Sequence, residues 1–401
     1  MFGHRSSPSR PRGAANLRYP LAVLAVGVLL TSGCADFEDQ AAPENWQSQA
    51  QLTPEAGPQP QLPEQGGQGS TPQSPPSGQR SIPPPQGCKD FDPTVLATCL
   101  DTVSAVAALP GGAAPSALAA ERKSGRILQV EKDSDPNVLS TLRVDSSGDG
   151  GLTGLALSPS YTEDQLVYAY ITTRTENQVV RVAPGQPPKP VLTGIPKGAT
   201  GNRGVLASDN KGALLVATGN AGDPGAAGNP KSLAGKVLRI DGSGNPAEGN
   251  PKPGSPIVSG GLHSPGGVCA NKDGSQAWVT DRAPDEDKLY QVEMGKSLGD
   301  PAWTWPGRPG VAGCAASESS LSVATSGAGN VQSLTLRPDG TFQGQPQVIA
   351  DGDDGYGKLS GMDLLSEQAI LVGTVNKDGG QPISSDDRVA IIIRQPQGGA
   401  D

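Results

Sequence analysis

The 401-residue chain predicts an all-β fold, a six-bladed β-propeller, carried behind a signal-like segment and a disordered Pro/Gln/Gly-rich tether. Three observations predict it. Gly (55) and Pro (39) are too frequent for a long coiled coil or helical bundle, where each interior Gly costs about 1 kcal/mol and each Pro about 3. Past the first hundred or so residues the chain becomes a series of short apolar runs bounded by Gly, Asp, Asn and Pro, as strands joined by turns are. Those runs recur in units of roughly 50 residues, the period of a multi-stranded propeller blade.

Residues 1–33 read as a secretory signal. Arg5, Arg10, Arg12 and Arg18 form a basic start without an acid, and Tyr19 to Leu30 is an apolar run. That run is too short to cross a hydrocarbon core about 30 Å thick. It ends in Leu30-Thr31-Ser32-Gly33-Cys34, which resembles a bacterial lipobox, where the Cys is acylated and becomes the new N-terminus. The strict lipobox has Leu at the place of Thr31. Cys34 is therefore the expected lipidation site and a membrane the expected partner, with the rest of the chain on its extracytoplasmic face. Removing the segment moves the net charge from −9 to −13. So acidic a chain is unsuited to binding nucleic acid by charge.

Residues 34–87 hold the lipidated Cys and a stretch dominated by Pro, Gln, Gly and Ser. No apolar period survives in it, so it cannot bury a core. A flexible tether of this length reaches roughly 40 Å root-mean-square, more where Pro runs stiffen it. Its expected work is to hold a folded domain, residues 88–397, away from the membrane.

Four cysteines follow Cys34: Cys88, Cys99, Cys269 and Cys314. An even number in a secreted chain argues for disulfides, and of the three pairings Cys88–Cys99 and Cys269–Cys314 are favoured. Zinc is disfavoured, since CxxC spacing is absent and the chain has two histidines, His4 and His263.

Within the domain, a Gly-led apolar run followed by a second run starts at Gly154, Gly204, Gly267 and Gly361. The last interval is nearly two periods, and a weaker unit fills it at Leu321; another opens the series at Val103. Six such units, each unable to bury both faces of its sheet alone, pack as blades around a channel. Two sandwiches, the rival all-β reading, would require no common period.

Several motifs then resemble a known family. Gly148-Asp-Gly-Gly-Leu-Thr-Gly-Leu-Ala-Leu-Ser-Pro is similar to the GEGGLLGLALHP block of soluble quinoprotein glucose/sorbosone dehydrogenases. Ala221-Gly-Asp-Pro with Asn229-Pro-Lys-Ser-Leu-Ala-Gly-Lys-Val-Leu-Arg-Ile-Asp resembles that family's AGDP and SLAGKILRID blocks. Gly249-Asn-Pro-Lys-Pro-Gly-Ser-Pro and Trp305-Pro306 continue it. The resemblance implies a six-bladed propeller holding the quinone PQQ and calcium at the top of the channel. It also implies a His base that takes the sugar hydroxyl proton as hydride moves to the quinone. At that place stands Gly201, in Gly201-Asn-Arg-Gly-Val-Leu-Ala. The family's GHRNPQG reads Gly261-Leu-His-Ser-Pro-Gly-Gly, putting His263, Ser264 and Gly266 where Arg, Asn and Gln are implied. Its HGP…GDEL becomes Arg282-Ala-Pro with Lys288 in place of an acid.

Arg203 and Arg282 remain as candidates to meet an anionic quinone, and His263 as a candidate relocated base or a loop residue that bonds backbone between blades. Asp145 to Gly151 and Asp351 to Gly355 cluster oxygen ligands without full calcium-loop spacing and read as solvated turns. Asp285-Glu-Asp reads as an exposed acidic loop. Nucleophile-elbow, phosphate-loop and zinc-protease motifs are absent. Two functions follow. In the first, the propeller has lost catalysis and binds a glycan, a small ligand or an envelope protein on its top face. In the second, it is an active PQQ-dependent sugar or aldehyde dehydrogenase with a rearranged site. The three substitutions favour the first.

Overall fold

The computed structural model describes residues 82–394; the expected signal segment, Cys34 and the tether as far as residue 81 lie outside the described residues. Among the described residues, twenty-four strands form six four-stranded antiparallel sheets. The innermost strands, blades 1 to 6 in chain order, are Val103–Ala108, Leu152–Leu157, Gly204–Ser208, Pro265–Ala270, Val311–Ala316 and Leu359–Ser366. These carry Gly, Ala and Ser in number because six strands converge on one axis, and bulk there would hold them apart. Middle strands such as Val167–Thr172 and Leu214–Thr218 are buried on both faces and read as continuous apolar runs. Outer strands such as Asn137–Thr141 face solvent.

The core is partitioned between blades. Leu118, Ile127, Leu152 and Ile171 fill the seam of blades 1 and 2. Tyr170, Leu206, Leu214 and Leu238 fill that of blades 2 and 3. Trp278, Leu289, Leu321 and Leu334 fill that of blades 4 and 5. Each blade thus buries its two faces against different neighbours, which is why the sheets cannot stand alone.

The ring closes through the N-terminus. Val95–Ala97 pairs antiparallel with Val389–Ile393 and forms the outer strand of blade 6, whose other three strands come from the C-terminal end. Both favoured disulfides form: Cys88–Cys99 brackets the closing strand, and Cys269–Cys314 joins the inner strands of blades 4 and 5.

One unit sits differently from its sequence reading. Leu321, taken as the start of the fifth unit, belongs to the second strand of blade 5, Ser320–Thr325. The inner strand is Val311–Ala316, whose VAGCAA carries too little bulk to stand out as apolar; burial between neighbouring blades makes it a strand.

Candidate functional site

Inner strands begin, and second strands end, at the same rim of the channel. Residues just before the former and at the end of the latter therefore converge on one mouth. Three arginines meet there. Arg203 precedes Gly204 of blade 3, Arg282 ends the second strand of blade 4 (Ala277–Arg282), and Arg122 follows the second strand of blade 1 (Ser116–Glu121).

Arg203 Nη2 donates to Ser360 Oγ at 2.8 Å. Blades 3 and 6 are opposite members of the ring, so this side chain spans the channel. Ser360 Oγ in turn donates to the Ser104 carbonyl of blade 1 at 3.2 Å. Arg282 donates from Nε to the Val311 carbonyl at 2.7 Å, and from Nη2 to the Gly310 carbonyl and Ser326 Oγ at 3.2 and 3.1 Å. Arg122 donates from Nη1 to the Gly150 carbonyl at 2.8 Å and pairs through Nη2 with Asp378 at 2.9 Å. Of the three, Arg122 alone has a carboxylate partner among the described residues.

The electrostatics follow. Arg203 is reachable from the lumen yet enclosed by protein; burial first, then the Arg282 and Arg122 charges, push its guanidinium down to about 9. Burial also lowers Arg282. The Nε atoms of Arg203 and Arg122 are buried without a hydrogen-bond partner. Asp149, Asp287 and Asp378 offset part of this charge from a distance, but Arg203 and Arg282 lack a direct ion pair, and such guanidinium groups are suited to an anion.

The place implied for the base cannot hold a side chain. Gly201 has φ +70°, and a Cβ there would stand 2.7 Å from Asn220 Oδ1, 2.8 Å from Gly222 N and 2.9 Å from Ala221 N. Asp149 fixes this loop by accepting from the amides of Gly201 and Asn202 at 3.0 and 3.2 Å. Gly266, at the implied Gln, is equally closed in: a Cβ would meet the Val311 carbonyl oxygen at 2.5 Å.

His263 sits on the loop entering blade 4. Its backbone amide and that of Ser264 donate to Asp281, which is fully buried, and its Nδ1 lies 3.2 Å from Asp281 Oδ2. That hydrogen bond raises the imidazole pKa above its ordinary value. The His263 carbonyl accepts from the backbone amide of Asn220, next to blade 3. With its side chain 31% exposed, the ring is also open to solvent. Its neighbouring charges besides Asp281 are Lys288 and Asp285 rather than the three arginines. Lys288 pairs with Asp285 at 3.0 Å and Glu286 at 3.7 Å.

Asp285-Glu-Asp corrects one expectation. Asp285 is exposed, but Asp287 is buried and accepts from the Gly310 and Val311 amides at 2.6 and 3.0 Å, clamping the start of blade 5. Asp145 of the first calcium-like turn pairs with Lys197 at 2.6 Å, and Asp351 of the second accepts from Asn330 Nδ2 at 3.1 Å.

The arginines of this mouth suit an anionic quinone, but the base and the metal ligands implied with it are not matched by these residues. Arg203 spans the channel, Gly201 excludes a base, and among the described residues no group of three or more His, Cys, Asp or Glu is placed to hold a metal. Arg122, Ser360 and Asp281 carry no sequence signal of a site, and Asp149 lies in the turn-like stretch Asp145 to Gly151. Arg122 lies in Glu121-Arg-Lys-Ser-Gly, which reads as a solvated turn, and the others act through partners distant in sequence.

Comparison with known proteins agrees with the fold. The glucose/sorbosone dehydrogenase profile matches residues 100–312. The chain is 26% identical over 177 residues to the aldose sugar dehydrogenase YliI of Escherichia coli K12, which is 39% of this chain and 48% of that protein, about half the relative's length. The PQQ-bound aldose sugar dehydrogenase of Streptomyces coelicolor superposes with a TM-score of 0.69 at 30% identity, covering 74% of this chain and 95% of that one. The apo form of the soluble aldose sugar dehydrogenase of Escherichia coli, at 19% identity, TM-score 0.63 and 75% and 99% coverage, shares the fold. With the profile matching more than half of its length, this chain belongs to the glucose/sorbosone dehydrogenase family.

Proposed function

We propose that this propeller binds a small anion at its arginine-lined mouth and does not oxidise a sugar. One observation carries the reading. Gly201, where the resemblance implies the base, has neither a side chain nor room for one. Arg203 and Arg282, without carboxylate partners, supply the cationic surface for the ligand. An acidic group of an envelope glycan is the ligand class that suits both the mouth and the expected setting. In that setting Cys34 carries lipid, and the 34–87 tether holds the propeller beyond the extracytoplasmic face of the membrane.

The test titrates the purified protein with PQQ and calcium, following the quinone spectrum and dye-linked aldose oxidation. The expected result is no turnover. Saturable PQQ binding with turnover abolished by His263→Ala would overturn the reading in favour of an active, rearranged dehydrogenase. For the anchor, a Cys34→Ala variant should leave the membrane fraction; if it stays there, lipidation at Cys34 is refuted.

A further inference from the structure

The channel is two compartments. Below the arginines, glycines let adjacent inner strands approach so closely that side chains are excluded: a Cβ on Gly267 would lie 2.6 Å from Cys314 N, and one on Gly361 2.6 Å from Ala105 Cα. The lumen at this collar shrinks to about 30 Å³, the room of one water molecule. Beyond it the lumen widens into a chamber of about 410 Å³ at the opposite end from the mouth.

All six inner strands line this chamber. Its walls divide about evenly between polar and apolar surface, the apolar part including Leu155, Leu206, Val268 and Met362, and the Cys269–Cys314 bridge joins two of its staves. One carboxylate stands among them. Asp363 Oδ2 accepts from the Ala108 amide and Oδ1 from its neighbour Leu364, both at 2.8 Å. Among the described residues no cation pairs with it. Lys272, the other charged residue of the lining, is exposed and makes no ion pair with Asp363.

A chamber of this size with an apolar side and one carboxylate has the makings of a ligand site: surface to meet a short hydrocarbon and a group to orient its charged end. The backbone amides leave lone pairs on both carboxylate oxygens, which can take only donors. We propose that the chamber binds a small organic ammonium ion, its aliphatic tail against the inner strands and its charged head on Asp363. Enclosure by protein raises Asp363 to about 6, so at neutral pH it is largely an uncompensated anion. This site is separate from the mouth and does not depend on what the mouth binds.

The methionines make the test local. The chain has three, Met1, Met294 and Met362; Met362 lines the chamber, while Met294 is exposed and outside its lining. With 13C-methyl methionine protein at pH 7.5, n-octylammonium should shift the Met362 signal saturably and leave Met294 unmoved. Octanol should bind at least tenfold more weakly and octanoate should not bind. Asp363→Asn should weaken n-octylammonium at least tenfold. Equal shifts from octanol or octanoate in the unmutated protein would overturn the proposal without any variant. So would an Asp363→Asn protein that melts normally and binds as tightly as the parent, or a Met362 signal that does not move at millimolar n-octylammonium.

Discussion

Arg203 of blade 3 and Ser360 of blade 6 are 157 residues apart in sequence and joined by a 2.8 Å hydrogen bond across the channel. The bond puts a guanidinium on the axis of the mouth, with its Nε left over for another acceptor. Arg203→Gln should therefore cut binding of a tricarboxylate such as citrate at least tenfold by calorimetry, since charge-assisted hydrogen bonds contribute about 1.5–3 kcal/mol. The fold should survive, because no ion pair of Arg203 is broken and the glutamine amide can still donate toward Ser360. Equal affinity in the variant would remove Arg203 from the site.

Gly201→His tests whether the implied base can simply be restored. The left-handed φ and the overpacking against Asn220 and Gly222 together should cost about 2–4 kcal/mol, read as a lowered midpoint in denaturant. Aldose oxidation with added PQQ and calcium should stay at background.

His263 should titrate above its ordinary value, followed by its ring protons in NMR, and return toward it in Asp281→Asn. Because the folded pKa is the higher one, the pair's stabilisation is complete below the unfolded value near 6.5 and is lost as pH rises through the folded value. Asp281→Asn should also cost about 1–3 kcal/mol at any pH, because the carboxylate holds the His263 and Ser264 amides.

Lys236, in the Ser-Leu-Ala-Gly-Lys block, is 2% exposed, and its Nζ donates to the carbonyls of Ala226, Ala227 and Ala234 at 2.7 to 3.0 Å. The most family-like stretch of the chain thus serves architecture, gathering the short helix Pro224–Gly228 onto blade 3. Lys236→Met should destabilise by about 2–4 kcal/mol through three orphaned carbonyls, with the arginine mouth unchanged.

The disulfides should be additive in stability, being in different seams of the ring. Loop-closure entropy assigns about 4 kcal/mol to Cys269–Cys314 and about 3 to Cys88–Cys99. Ser pairs at each should lower the melting temperature in that order.

Most of the architecture was legible because a blade's demands are local: a turn residue, a run of small apolar residues, another turn, repeated. Val311–Ala316 escaped because its strand character comes from its neighbours. The mouth was legible only in part. Arg203 and Arg282 stood beside family-like motifs, and the absent base was visible as Gly201. Asp149 gave no signal as a clamp, since an aspartate beside glycines reads as a turn, and Asp281 and Asp287 gave none because the amides they hold are 17 to 24 residues away in sequence. Asp363 looked like one more strand residue, because its chamber exists only once the ring has closed.

Bracketing the closing strand by Cys88–Cys99 has a mechanical side. A pull on the chain from ahead of Cys88 passes through the sulfur atoms to Cys99 and on into blade 1. Val95–Ala97 then lies in a covalent slack loop that carries no load. Without that bond, tension applied ahead of residue 88 would peel away the strand that seals the ring. If the proposed anchor at Cys34 loads the chain, force bypasses the seal, and reduction of one bond would turn that attachment into a ripcord.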